Sequence, residues 1–547
     1  MPRSSGDRIG AEALAGRRTA TGRGHRHDWC LDRRGRRLGI DAGARWHPAR
    51  RDHSGRPDGG AAIGLSSGIV VSMTHEQIVL LTLVSYKLAL IWIGVATKGR
   101  THDGLDFFLG GRQLGPTVAA LSAAASSSSA WTLLGVSGAA YSWGLGALWL
   151  FPSCVGGFII NWYLVAPGLR RLSHQTGAVT VTELLAGPVG RAGRQTIVVL
   201  ASVIILLSLG AYVASQFQGA GKAFQETFGL SMTMAIVLGA GVVMLYTMLG
   251  GFWAVSVTDT LQGGLMALAA ILIPVAALIE VGGPSGLVAG LQQVPVEGYM
   301  SLTRGWPWTV GIGFILGLFG IGLGYPGQPH VVNRFMALKL GDATMQRARL
   351  VGIGWAVIVY SGMILLGLSG RVLFPTLTDP EVVMITAANN LLSPVAAGIV
   401  IAAVLSAIMS TADSQLLVAS STLTHDLGIG GKSAWGLLAR SRVVVVLLGA
   451  GAVAGALYGS QEIFSRVLFA FAAMGAAFGP LILVTIWRGP VGAGATIAAM
   501  SLGFGLSIAA YYLPAHAWKG TLERVVPVLV ALAIAWFATA PAPARKA

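Results

Sequence analysis

The sequence predicts an all-α integral membrane protein of about thirteen transmembrane helices, and three observations carry that prediction. Hydrophobic residues make up 54% of 547 positions and charged residues only 11%, where soluble domains carry about a quarter charged. The apolar residues fall in long continuous runs and not in strict alternation. Hydrocarbon offers backbone polar groups no partner, so only helices or a closed barrel span it, and a helix needs roughly 20 apolar residues to cross. Continuous runs of that length select helices.

Residues 1–72 stand apart. They hold 14 Arg against 7 Asp and Glu and no apolar run able to build a core, so this basic leader is expected to be disordered. It supplies much of the net charge of +16, which removes that charge as an argument for nucleic-acid binding. No apolar stretch follows a short basic start, so the leader is not a secretory signal. The segment "MTHEQIVLLTLVSYKLALIWIGVATKGR" reads as a natural first membrane segment, with translation expected to begin at Met73. Two cysteines, Cys30 and Cys154, are too few for a disulfide framework or a metal cluster.

From Met73 onward the chain reads as one domain, 73–547. Spans are expected near 76–97, 115–142, 145–167, 195–217, 229–249, 254–281, 307–330, 347–368, 391–421, 440–459, 463–486, 490–512 and 522–540. Lys and Arg between them sort to alternate sides, 17 on one and 6 on the other, so the richer side is cytoplasmic. The first span then starts outside and the C-terminus lies in the cytoplasm. The same rule argues against 14 leader arginines outside, a second reason to expect the leader to be absent from the native protein.

Two spans carry interruptions. The second reads "ALSAAASSSSAWTLLGVSGAAY", with Ser126 to Ser129 at mid-membrane depth; the seventh reads "FGIGLGYPGQPH", dense in Gly and Pro. Gly weakens a helix and Pro removes a donor, so both spans should unwind. Small residues also serve close helix packing. Two breaks standing five spans apart, in corresponding places of two halves, point instead to a transporter binding site. The ninth span adds Ser406, Ser410, Thr411, Asp413, Ser414 and Gln415 within an apolar run. An intramembrane carboxylate is a functional signal, and hydroxyls with freed carbonyls supply the oxygens a hard cation wants. Ser410 and Ser414 share a helix face, although such hydroxyls also bond back to their own helix.

At these residues the chain resembles the sodium/solute symporter family, and within it the bacterial sodium/proline branch. The segments that match are "FFLGGRQLGP", "ALSAAASSSSAW", "INWYLVAPGLR", "LYTMLGGFWAVSVTDTLQ", "GLGYPGQPHVVNRFMAL", "AAVLSAIMSTADSQLLVASSTLTHDL" and "AFAAMGAAFGP", in the family's order. The resemblance implies a LeuT-like core of two inverted five-helix repeats, about 115–281 and 307–486, working by alternating access in a bacterial inner membrane. Spans one, twelve and thirteen are then peripheral.

The resemblance also implies a sodium site at Ala125 and Ser128 through backbone carbonyls and at Ser410 and Thr411 through hydroxyls. Asp259 matches a family carboxylate implicated in sodium dependence. Positions matching the solute pocket are Trp131, Tyr212, Tyr325 and Pro329. Ser127 and Ile321 are expected in the same pocket, and both are departures: Ser127 replaces an aspartate of the proline branch, and Ile321 replaces its usual tryptophan. Asp413, beside Ser414, is expected to restore the lost charge. The expected function is sodium-coupled uptake of a small solute, proline or a related amino acid. Alternatives are a proton as driver, with Asp413 or Asp259 titrating, and a carboxylate or other solute.

No cofactor beyond the sodium ion, no nucleic acid and no obligate protein partner is expected. An enzyme is not expected either, because no nucleophile–base constellation or metal-ligand spacing appears in the loops. The isolated His330 and His425 read as interface residues near span ends. A channel would need a ring-forming filter sequence, and none is visible.

Overall fold

A computed structural model of the chain describes residues 73–97, 109–187, 189–247, 252–428, 434–459 and 462–539, with four short strands ahead of them. The chain divides into two units, 1–60 and 61–547. In the first, β1 (Cys30–Leu31) pairs antiparallel with β2 (Arg37–Leu38). In the second, β3 (Ala62–Gly64) pairs antiparallel with β4 (Val70–Ser72), and the other named elements among the described residues are helices. The rest of the leader, and with it the expected disorder, lies outside the described residues.

The apolar runs become helices because a helix satisfies its own backbone. They are α1 (His75–Thr97), α2 (Pro116–Ser127), α3 (Val136–Trp143), α4 (Leu150–Ile159), α5 (Ala166–Thr176), α6 (Val181–Ala186), α7 (Arg191–Phe228), α8 (Met232–Thr247) and α9 (Phe252–Glu280). There follow α10 (Gly283–Gln292), α11 (Trp308–Gly324), α12 (Pro329–Ala337), α13 (Asp342–Leu373), α14 (Val383–Leu391) and α15 (Pro394–Ser421). The last are α16 (Ala434–Tyr458), α17 (Ile463–Arg488), α18 (Ala493–Tyr511), α19 (Lys519–Arg524) and α20 (Val526–Phe537). Among the described residues ten helical stretches are long and apolar enough to cross a membrane, and Met232–Leu245 and Arg442–Tyr458 are shorter apolar helices. The chain is an all-α, multi-pass membrane protein.

Burial ranks the helices. In α15 and α17 the apolar window is 83% and 89% buried, against 22% in α1, so the first two form the centre and α1 the rim. Apolar side chains such as Leu88, Trp92, Leu207, Ile279 and Leu350 are exposed on the outer faces, where lipid is their solvent.

Both expected interruptions are present. Helix α2 ends at Ser127; Ser128 is extended (φ −115°, ψ 93°), and a π turn over Trp131–Gly135 leads into α3. Helix α11 ends at Gly324; a 3-10 turn covers Tyr325–Gly327, Gln328 is extended (φ −99°, ψ 97°), and α12 restarts at Pro329. Helix α17 crosses the second break so closely that a Cβ on Gly475 would lie 2.6 Å from the Gly324 Cα, which admits only glycine there.

Candidate functional site

The first break frees the Ala125 carbonyl. In an unbroken helix that oxygen would bond Ser129; here it accepts from the Ser128 amide at 3.3 Å, the Ser410 hydroxyl at 3.1 Å and the Thr411 hydroxyl at 3.3 Å. All four residues are fully buried. The expected quartet of Ala125, Ser128, Ser410 and Thr411 is therefore brought together, with α15 clamped to the end of α2. The polar groups gathered here are hydroxyls and a carbonyl, and among the described residues no group of three or more His, Cys, Asp or Glu forms a metal cluster. Hydroxyl and carbonyl oxygens are ligands of hard cations and not of soft transition metals.

Asp259 and Ser414 stand in an adjoining network built around Arg334. The Arg334 guanidinium lies 3.2 Å from the Asp259 carboxylate and donates through Nε to Ser122 at 3.1 Å and through Nη2 to Ser414. Asp259 accepts further from Ser122 at 2.7 Å and Ser126 at 3.2 Å, and Ser126 meets Ser414 at 2.9 Å. Ser126 neighbours Ala125 and Ser414 lies one turn beyond Ser410, so this network abuts the carbonyl cluster directly. Burying the Asp259–Arg334 pair is tolerable because each charge has its opposite and further hydrogen bonds. Asp413 turns to another side of α15, where its carboxylate accepts from the Thr247 hydroxyl of α8.

Five of the positions expected in a solute pocket line one small cavity. Its walls are Ser127, Trp131, Tyr212, Ile321 and Tyr325, all expected, with Val467, Leu468 and Phe471 of α17. Tyr325 shares a 2.7 Å hydroxyl contact with Tyr360 and packs against Phe158 and Phe471, with ring centroids 5.3 Å and 5.1 Å away. Tyr212 donates to the Ser129 hydroxyl at 3.2 Å. Pro329 does not line the cavity; it opens α12, where a proline's missing amide is harmless.

On one side of this cavity Phe464 packs at a tilt against Trp131, centroids 5.6 Å apart, and both Phe464 and Gly135 line a second, larger cavity. There Lys222 bridges Glu381 at 2.5 Å and Asp379 at 2.7 Å. Glu381 also accepts from the Ile463 and Phe464 amides at 3.0 Å and 2.7 Å, capping the start of α17. Burial pushes the Glu381 carboxyl up, against the pull of Lys222 beside it.

Several of these residues escape a sequence reading. Arg334 counts there as a cytoplasmic-side cation, yet it is 1% exposed and paired with Asp259. His330, expected at an interface, is fully buried and meets the Tyr212 ring edge-on at 6.1 Å. Lys222, Glu381, Tyr360 and Phe471 are likewise missed. The signal for Arg334 and Lys222 is the general one, an ionisable residue inside or just beside an apolar run.

The sodium:solute symporter family model matches residues 107–503 of the chain. The high-affinity proline transporter of Bacillus subtilis is 37% identical over 411 residues, covering 73% of this chain and 85% of that one. A sodium/proline symporter of Staphylococcus aureus is 35% identical over 427 residues, covering 75% and 81%. Among solved structures, a sodium-coupled sialic acid symporter in a substrate-bound outward-open state superposes with a TM-score of 0.70 at 20% identity, covering 85% of this chain and 98% of that one. The nucleobase-cation-symport-1 transporter Mhp1, closed around bromovinylhydantoin, gives 0.50 at 13% identity, covering 78% and 93%. These last two likenesses are of fold.

Proposed function

The chain belongs to the sodium:solute symporter family, and from that premise we propose that it carries proline, or a closely related amino acid, into the cell together with sodium. It works as a secondary transporter, not an enzyme, by alternating access in a bacterial inner membrane. The observation that carries the reading is the pair of α15 hydroxyls, Ser410 and Thr411, converging on the Ala125 carbonyl beside the aromatic cavity.

Sodium takes the place of the hydroxyl protons at that carbonyl: Ser410 and Thr411 rotate their lone pairs inward, and Ala125 and Ser128 add backbone oxygens. Asp259 and Ser414, through Ser126, hold the shape and charge of the surroundings, and Asp413, one turn from Ser410 on α15, is held by Thr247. The ion ties the broken α2 to α15 and so fixes Trp131 and Ser127 as walls of the solute cavity. Trp131 and Tyr325 offer ring faces to an apolar pyrrolidine, and Ile321 narrows the wall less than an aromatic side chain would.

The architecture behind this reading is thirteen spans within residues 73–547, with inverted repeats near 115–281 and 307–486. Two helices broken in the same way, at extended Ser128 and extended Gln328, support it. The excess of Lys and Arg supports a first span that starts outside and a C-terminus in the cytoplasm. The test is binding of radiolabelled proline to the purified protein in sodium, potassium or choline. Binding that needs sodium supports the reading; binding indifferent to the cation, or absent throughout, contradicts it.

A further inference from the structure

We propose that a basic groove between α5, α6, the start of α7 and the end of α17 binds the headgroup of an anionic phospholipid of the cytoplasmic leaflet. The inference takes from the reading above only the sidedness of the spans, and it involves neither ion nor solute.

The floor of the groove closes where α5 crosses α17. A Cβ on Gly168 would collide with the Ile486 side chain, so the two helices touch there with nothing between them. Above that floor stand three guanidinium groups, those of Arg171, Arg194 and Arg488. Arg171 and Arg194 are exposed, and their side chains make no hydrogen bond or ion pair among the described residues. Arg488 is held in place, its guanidinium 4.6 Å from the centre of the Trp536 ring and donating to the Thr539 carbonyl at 3.4 Å. Neither contact neutralises its charge. Among the described residues the groove has one carboxylate, Glu183, and it is already engaged by the Val179 amide at 3.0 Å and by His425 at 3.5 Å.

The walls say which anion fits. Tyr163 and Trp487 line the groove while 52% and 60% exposed, and each stands at the end of an apolar span. Phenol and indole rings favour that level, the boundary between hydrocarbon and headgroups. The Arg349 guanidinium lies 4.4 Å from the Tyr163 ring centre and steadies this wall. A general excess of cations on the cytoplasmic side explains arginines here, but not their convergence on a cleft with an aromatic wall. A phosphodiester accepts paired guanidinium N–H groups, and basic pockets between spanning helices on this side are where anionic headgroups bind. The lipid's chains would then cover Tyr163 and Trp487. A free phosphate would leave that wall bare, and a zwitterionic lipid would bring its own cation against the arginines.

The test is binding of a fluorescent phosphatidylglycerol to the purified full chain in neutral detergent, compared with phosphatidylcholine carrying the same label. Saturable binding of the first, and none of the second at the same concentrations, is expected. An arginine beside an anionic headgroup is worth roughly fivefold in affinity, so Arg171→Gln/Arg194→Gln should weaken binding about 30-fold. Lys339→Gln/Arg347→Gln removes two exposed cations outside the groove and should change nothing. Equal binding of the two lipids, an unchanged affinity in the groove variant, or an equal loss in the control variant overturns the proposal. So does displacement of the lipid by millimolar inorganic phosphate, which would mark a site for free anions. Should the double groove variant fail to fold, Arg194→Gln alone, about fivefold weaker, decides. Neither sodium nor proline is present in the assay, so failure here leaves the transport reading untouched.

Discussion

The Thr411 hydroxyl and the Ala125 carbonyl oxygen, 286 residues apart in sequence, lie 3.3 Å apart inside the bundle. The contact exists because α2 stops at Ser127 and leaves that carbonyl without its helical donor. Thr411→Ala removes one oxygen from the proposed ion site. A hydrogen bond or ligand to a charged group is worth about 1.5–3 kcal/mol, so the sodium half-saturation should rise roughly 10- to 100-fold. Solute affinity at saturating sodium should move much less. Uptake titrated with sodium measures both.

Tyr325 separates ring from hydroxyl. Tyr325→Phe keeps the packing against Phe158 and Phe471 but loses the contact with Tyr360. A neutral hydrogen bond contributes about 1 kcal/mol, so proline half-saturation should rise about fivefold. Tyr325→Ala removes the wall as well and should cost more. In both variants the solute constant should shift further than the sodium constant.

Gly157 provides a test by addition. A Cβ there would lie 2.4 Å from Tyr325 Cδ2 and 2.9 Å from Cε2, so Gly157→Ala must displace that ring. The residue bonds neither ion nor solute in the proposed site. Weaker proline binding with an unchanged sodium half-saturation is the expected result of equilibrium binding.

Arg334 and Asp259 make a paired test of stability. Arg334→Met leaves a buried carboxylate unopposed, which typically destabilises by about 3–5 kcal/mol. Thermal unfolding in detergent should shift strongly downward, and the double variant Arg334→Met/Asp259→Asn should recover much of the loss.

Local chemistry made part of this site legible. Four serines and a run of Gly and Pro announce broken helices whatever their surroundings, and Ser410–Thr411 are polar in an apolar run. Pairings were another matter. Arg334 meets Asp259 from 75 residues away, and its place beside an apolar run marks it as unusual without naming that partner. Apolar runs also understate helix length: α7 covers Arg191–Phe228 where the run suggests 195–217, because a helix continues past the hydrocarbon on polar residues. The short helices α6, α10 and α14 carry no spanning signal at all. Pro329 belonged to the pocket by resemblance, yet its place is the first turn of α12.

The central claim is coupling, and proline uptake into proteoliposomes under imposed gradients tests it most directly. An inward sodium gradient should drive labelled proline to accumulate above equilibrium, and potassium or a pH gradient alone should not. Accumulation under a pH gradient without sodium would contradict the ion site at Ala125 and Thr411; no uptake under any gradient would contradict proline as the solute.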